Sequence, residues 1–382
     1  MTRLYRKLRL GAGILTIAMA ACSLALAERH EPVVTAYVFA QNNALTPDSV
    51  DGHALTRINY AFANIANGRI VTGFANDDAN YATLTALRKQ KPSLKVLVSV
   101  GGWEWSKGFS DVSLTAASRA TFIDSVMEFL TRYDLDGLDI DWEYPGMRGA
   151  GNVFRDEDKH NFTLLLGELR KRFKAEEKKT HRHLYLTIAA GSSQEFIAHT
   201  EMAEIAKILD TVNLMAYDYY EPSDNSITGH HAPLYANPAD PQKASTDASV
   251  QAFKNAGVPA RKIVLGVPFY GHIWGEVPAT ANGLYQPGKP IPGAYSSYNA
   301  IKQNMLGQGY TRYWDSVSSV PYLYNAEKKI FVSYEDPESL AVKARYVHAQ
   351  HLGGMMFWSY EGDAHEELLH AIDAGLGIDT AK

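Results

Sequence analysis

An alternation repeated along nearly the whole chain constrains the fold most: a short apolar, β-rich run, a polar loop, then a longer segment with helical periodicity. The runs predicted as strands are Val33 to Phe39, Arg57 to Phe62, Lys95 to Val100, Gly137 to Trp142, Leu184 to Ala189, Thr211 to Ala216, Lys262 to Pro268 and Gly354 to Trp358. Helices are predicted over Tyr81 to Lys89, Ala116 to Tyr133, Asp156 to Glu177, Glu201 to Leu209, Thr246 to Ala256 and Pro337 to His351. In the second of these, Phe122, Val126, Phe129 and Leu130 recur on one helical face. Strands that are apolar almost throughout are buried on both sides, which implies a parallel sheet covered by helices. Eight such units favour a closed (β/α)8 barrel, an α/β fold, over an open doubly wound sheet. No G-x-G-x-x-G follows the first strand, so a dinucleotide site lacks its main support.

The alternation fails once, from Ile273 to Lys329, where Gly, Pro and Tyr accumulate and strand-like pieces appear at Thr311 to Trp314 and Lys329 to Ser333. A structureless loop of that length is improbable in a compact domain, and its aromatic density argues against disorder. We expect a small α+β insertion at 273–331 between the seventh and eighth strands, with the barrel built from 28–272 and 332–382.

Within the fourth predicted strand the sequence reads D-G-L-D-I-D-W-E from Asp136 to Glu143. Side chains of a strand alternate between faces, so Asp139, Asp141 and Glu143 form one row, and Leu138, Ile140 and Trp142 form the other. Like charges one pleat apart repel, and burial strips hydration, so at least one of these carboxyls should hold a proton near neutrality. That is the property of an acid catalyst with tuning partners. A solvated acidic face is the bland alternative, but the bulky Trp142 and the following Tyr144-Pro145-Gly146 fit a buried strand ending at a rim. Asp136 is out of phase with the row and is assigned to the turn.

Residues 1–27 differ in kind. Arg3, Arg6, Lys7 and Arg9 precede a short apolar run, and Ala25-Leu26-Ala27 offers a small-residue cleavage site before Glu28, as in a secretory signal peptide. Met19-Ala20-Ala21-Cys22 also resembles a lipoprotein box, with Met in place of the usual Leu, so lipidation at Cys22 is the alternative to plain export to the periplasm or the exterior. Cys22 is the only cysteine, so the mature chain is expected to form no internal disulfide. Loss of the four basic residues lowers the formal net charge from −5 to −9. Such an acidic protein has no bulk attraction to nucleic acid, and its substrate is expected to be neutral or cationic.

Catalytic groups of a (β/α)8 barrel stand at the C-terminal ends of its strands. Those ends supply Asp139, Asp141 and Glu143 from the fourth strand, Met215, Tyr217 and Asp218 from the sixth, Trp358 from the eighth, and Ser99 and Gly101-Gly102-Trp103 from the third. Acidic and aromatic groups with few basic ones describe a carbohydrate site. A metal centre is the rival reading of the acids, but the Asp-x-Asp-x-Glu row contains no His, and no metal or cofactor is expected. His181 and His183, on a Lys/Glu-rich stretch, are assigned to a solvated helix end.

At these positions the sequence resembles glycoside hydrolase family 18, the chitinases and their relatives. D-G-L-D-I-D-W-E-Y-P is similar to the family's D-x-x-D-x-D-x-E signature. K-V-L-V-S-V-G-G-W, V-N-L-M-A-Y-D, K-I-V-L-G-V-P-F-Y-G and G-G-M-M-F-W follow in the family's order, from about Val33 to Asp363. The family is a substrate-assisted exception among glycosidases. The resemblance implies that Glu143 is the general acid and base, that Asp141 orients the substrate's acetamido group while sharing a proton with Asp139, and that Tyr217 donates to the acetamido oxygen. It also implies substrate contacts from Trp358, Met215, Asp218, Tyr37, Phe62, Gly102, Trp103, Tyr144 and Trp274. Trp105 and Trp314 are further stacking candidates. After Pro268-Phe269-Tyr270-Gly271 the family usually has Arg, whereas this chain has His272.

The implied activity is hydrolysis of β-1,4 bonds in chitin or N-acetylglucosamine oligosaccharides by a monomer needing no protein partner. The alternatives are an endo-β-N-acetylglucosaminidase acting on N-glycan or peptidoglycan-type sugars, and a chitin-binding lectin. Glu143 argues against the lectin.

Overall fold

The computed structural model describes residues 31–378. The leader at 1–27 and Cys22 lie outside the described residues.

Eight parallel strands close into a barrel: β1 (Val33–Val38), β2 (Arg57–Ala66), β3 (Lys95–Gly101), β4 (Gly137–Asp141), β5 (Tyr185–Gly191), β6 (Thr211–Met215), β7 (Ile263–Pro268) and β8 (Gly354–Trp358). Each pairs with its successor, and β1 closes the ring on β8 through Val33↔Gly354 to Ala36↔Phe357. The expected strands agree with these to within a few residues. The largest departure is β2, which runs four residues past Phe62 and turns back through Asn67-Gly68 into the antiparallel strand Arg69–Val71. Both turn residues have positive φ, 51° and 74°, as a two-residue hairpin requires.

Helices cover the outside of the barrel. Ala116–Arg132 begins at Thr115, whose side chain accepts from Ser118 N–H while the Ser118 hydroxyl accepts from the Thr115 N–H, so two otherwise unpaired amides are satisfied. Pro337–Ala349 begins in the same way at Asp336 and Ser339, with Pro337 at the first helical position, where no N–H is needed. Trp142 shows how the fourth unit is built. It packs between Phe109 and Phe162, 5.3 Å from each, so the apolar row faces the helices Phe109–Leu114 and Asp158–Thr180. The acid row is thereby left to the barrel interior.

Between β7 and β8 lies a five-stranded antiparallel sheet made of Tyr270–Gly275, Lys289–Ser297, Thr311–Asp315, Val320–Asn325 and Ile330–Ser333, with the helix Tyr298–Asn304. Trp274, Val277, Tyr322, Tyr324 and Phe331 form its own small core together with Tyr220. This explains the aromatic density of a stretch that carries no barrel periodicity.

Candidate active site

The site is built around β4, every residue of which is buried. At its N-terminal end Asp136 accepts from Val96 N–H at 2.8 Å and pairs with Arg88 and Arg182 at 3.0 and 2.7 Å. It fastens the end of the barrel opposite the acids. Asp139 faces inward and receives the hydroxyls of Tyr37 and Ser99, each at 2.8 Å, the hydroxyl of Thr187, and Asn213 Nδ2 at 3.1 Å. Asn213 also donates to the Tyr37 oxygen at 3.1 Å, which fixes the phenol that donates to Asp139. Among the described residues no hydrogen bond joins Asp139 to Asp141. Asp141 Oδ1 is instead buried with no partner, and Asp141 lines the cleft above.

Backbone geometry brings the acids together. Gly101 has φ of 108°, and a Cβ there would lie 2.2 Å from the Asp141 carbonyl oxygen, so only glycine lets β3 approach this closely. Gly102 donates its N–H to that same oxygen at 2.8 Å. A Cβ on Gly102 would sit 2.6 Å from the Phe62 ring. Gly102 therefore makes room for Phe62 and is not itself among the residues lining the cleft. Ser106 Oγ accepts from Glu143 N–H at 2.8 Å and lies 3.0 Å from the Asp141 carbonyl, clamping the chain where the strand ends.

Burial raises all three carboxyls of the row. For Asp139 the surrounding hydroxyls oppose the rise. For Asp141 the charges of Glu143 and Asp139 add to it and push the carboxyl well above its ordinary range. Glu143 is brought to about 7, chiefly by burial, with a hydrogen bond from Tyr144 opposing and the charges of Asp218 and Glu221 adding. It therefore keeps its proton in much of the population at neutral pH, as an acid catalyst must. Burial and the nearby carboxylates push Tyr217 well above its ordinary value, so its hydroxyl stays protonated and can donate.

Above the row opens a cavity of about 970 Å³. One wall is aromatic: Phe62 stacks on Trp358 at 5.4 Å, Phe39 lies 5.3 Å from the same Trp, and Phe74 and Trp105 stand 4.9 Å apart. Tyr37, Met215, Tyr217, Asp218 and Tyr144 line the same cavity, and Trp103, 51% exposed, stands at its rim 6.4 Å from Tyr144. Besides Gly102, two expectations need correction. Trp274 is fully buried in the small core of the second sheet, where its Nε1 donates to Ser226 Oγ at 3.0 Å, so it cannot stack on a ligand. Trp314 packs under Arg312 and is likewise not part of the cleft.

Sequence reasoning missed Phe39, Phe74, Tyr270, Tyr295 and Glu221 in the lining, and Thr187 and Asn213 beneath it; Ser99, expected at the end of the third strand, donates to Asp139 there. Asn213 was within reach, since it lies two residues before Met215 and so shares its face of β6. Tyr295 carried no such signal, because it sits beyond an irregularity in the strand Lys289–Ser297.

His272 falls on the cleft wall and faces Asp218, its Nε2 2.8 Å from Asp218 Oδ1. Tyr270 donates to that oxygen at 2.6 Å, and His231 lies behind with Nδ1 at 3.6 Å. Burial opposes ionisation of Asp218, yet the two imidazoles hold its carboxyl below the usual range. Burial pushes His231 down to about 4, so it is neutral at neutral pH. His181 and His183 stand elsewhere: His181 closes the helix Asp158–Thr180, and His183 bridges Glu177 and Asp210, each at 2.9 Å.

Comparison with known proteins agrees with this geometry. The family model described as Glycosyl hydrolases family 18 matches residues 34–363. Chitinase A1 of Niallia circulans is 41% identical over an alignment of 343 residues that covers 82% of this chain and 49% of that protein, so the chain spans about half of that relative's length. A family 18 N-acetylglucosaminidase from Paenibacillus barengoltzii is similar in structure with a TM-score of 0.82 and 39% identity, covering 90% of this chain and 99% of that one. Human YKL-39, described as a pseudo-chitinase with retained chitooligosaccharide binding, aligns with a TM-score of 0.81 and 26% identity over 91% of this chain and 100% of that one. With the acid row, the cleft and most of the sequence matched together, the chain belongs to glycosyl hydrolase family 18.

Proposed function

We propose that the protein is an exported chitinase that hydrolyses β-1,4 bonds between N-acetylglucosamine units with retention, using the substrate's own acetamido group. The observation that carries this reading is Asp141 Oδ1, a buried carboxyl oxygen without a partner, set on the cleft floor between the hydrogen-bonded Asp139 and the proton-bearing Glu143. An orphaned buried acceptor is costly until a ligand donor reaches it, and an acetamido N–H is such a donor.

In the reaction, Glu143 gives its proton to the glycosidic oxygen as that oxygen leaves the anomeric carbon. The acetamido carbonyl oxygen attacks the same carbon from the opposite face and forms a cyclic oxazolinium ion. Asp141 accepts from the acetamido N–H, and Tyr217 donates to its carbonyl oxygen. Asp139, tied down by three hydroxyls and Asn213, is the fixed neighbour beneath Asp141. Water then adds to the anomeric carbon as the acetamido oxygen leaves it and the acetamide is regenerated, and the water gives its proton to Glu143, which restores the acid. Trp358 and its aromatic neighbours carry the apolar faces of the sugars. Proton sharing between Asp139 and Asp141 is not needed for this sequence.

The lectin reading is disfavoured by Glu143 itself, since nothing in simple binding calls for a carboxyl held at about 7 in the cleft. Glu143→Gln tests the assignment. It should bind an N-acetylglucosamine hexamer as the wild type does in calorimetry while losing turnover by on the order of 10² or more. Undiminished turnover in that variant would remove Glu143 from the mechanism.

A further inference from the structure

Two histidines that have no role in the proposed reaction converge on Asp218 beside the acid row. Asp218 follows β6, His231 lies on the loop beyond it, and His272 lies on the strand Tyr270–Gly275. One potential ligand atom from each falls within 4.8 Å of the other two. The imidazole rings are 5.0 Å apart and steeply inclined, at 77°. His231 has a side chain only 1% exposed; its Nδ1 faces Asp218 Oδ1 at 3.6 Å, just beyond hydrogen-bond reach, and its Nε2 has no hydrogen-bond partner among the described residues. A fully enclosed imidazole in that condition is missing something that it was positioned to meet.

We infer that Asp218, His231 and His272 form a binding site for a divalent transition-metal cation, zinc above all, and that its occupancy blocks the sugar channel. Two imidazole nitrogens and one carboxylate oxygen suit zinc and its neighbours, whereas magnesium and calcium prefer all-oxygen surroundings. Metal–ligand bonds of about 2 Å set neighbouring ligand atoms about 3.3 Å apart. The ligand atoms, now within 4.8 Å of one another, therefore shift by up to about 1.5 Å, and the 2.8 Å hydrogen bond between His272 and Asp218 gives way to the ion. Two side chains have room to do so, because Asp218 and His272 both border the cleft. Tyr270 already orients the carboxylate from outside the triangle through its 2.6 Å hydrogen bond. His272 stands where the family usually has Arg, and an imidazole can ligate where a guanidinium cannot. Three protein ligands leave the remaining positions open toward the cleft, so the ion and its water occupy space that the substrate needs. The binding site stands on these residues alone; blockade of hydrolysis rests on the proposed function.

The test titrates metal-free full-length protein with cobalt(II), whose visible absorption reports imidazole ligation in a site of low coordination number, and then displaces it with zinc(II). The expected result is one cobalt per wild-type chain, with affinity at least ~10-fold weaker in both His231→Gln and His272→Arg. Both variants are first checked for native circular dichroism, so that one misfolded protein does not decide the outcome. Zinc should then stop wild-type turnover of an N-acetylglucosamine hexamer, reversibly on chelation, and leave each variant at its own zinc-free rate. No cobalt band in the wild type, or equal bands in wild type and variants, would overturn the site. A cobalt band with undiminished turnover in saturating zinc would overturn the blockade. If the zinc-free protein cleaves nothing, the proposed hydrolysis fails while the spectra still decide the site.

Discussion

Asp139, Asp141 and Glu143 share one face of one strand, yet their surroundings give them different work. Asp139 is saturated with donors, Asp141 is left one partner short, and Glu143 reaches the cleft with a proton held at about 7. The pH dependence follows with a definite sign. The acid must be protonated to act, and its ordinary value near 4.5 is raised in the fold, so kcat/KM should fall as pH rises through about 7. The charge of Glu221 contributes to that rise. In Glu221→Gln the falling limb should therefore move to lower pH, and pH–rate profiles of the two proteins would show it; a limb that stays put or moves upward contradicts the assignment. The row itself was legible, because strand alternation alone separates carboxyls from apolar groups. The division of labour within it was not, since Ser99, Thr187 and Asn213 come from three other strands. Their hydroxyl and amide groups leave no mark on the spacing of the acids.

At the scale of elements, the loop after β6 is held in place by a buried ion pair that sequence periodicity could not reveal. Lys343, on the helix Pro337–Ala349, pairs with Glu335 and donates to the Ala232 carbonyl at 2.6 Å, with both side chains at most 1% exposed. A lysine and a glutamate eight residues apart read as surface charges until the tertiary fold encloses them. Removing one partner leaves the other charge buried and alone, so Lys343→Met should destabilise the protein by about 3–5 kcal/mol. Replacing both, in Lys343→Met with Glu335→Leu, should recover much of that loss. Urea denaturation of the two variants would check this, and a single variant as stable as the wild type would contradict it. The Asn67-Gly68 hairpin is the opposite case. Its dipeptide is a strong turn signal, but it is hidden behind a strand whose apolar run weakens after Phe62.

The barrel was readable as a whole because parallel strands covered on both faces must be apolar throughout, so each unit announces itself separately. The second sheet was foreseen as an α+β insertion with two of its strands, near Thr311–Asp315 and Ile330–Ser333, but not in its pairing. Its strands pair out of sequence order, with Tyr270–Gly275 placed between Lys289–Ser297 and Ile330–Ser333, and no local pattern encodes that arrangement. Trp274 was misplaced for the same reason: its neighbours on that sheet bury it, although in sequence it stands close to the cleft residues Tyr270 and His272. The finished cleft combines an aromatic wall with an acidic floor and rim, so on the proposed function it should accept both neutral and cationic sugars.

That breadth of binding allows the use of the acetamido group as nucleophile to be tested apart from affinity. An N-acetylglucosamine hexamer and a glucosamine hexamer would each be brought to saturation, verified by calorimetry, and their cleavage followed by mass spectrometry under identical conditions. The account predicts that both bind and only the acetylated hexamer is cleaved, with a rate difference of at least ~10³, because an attacking group carried in place by the substrate is lost. Cleavage of the saturated glucosamine hexamer within about tenfold of the acetylated one would contradict it, since the attacking group would then have to come from the protein or from water.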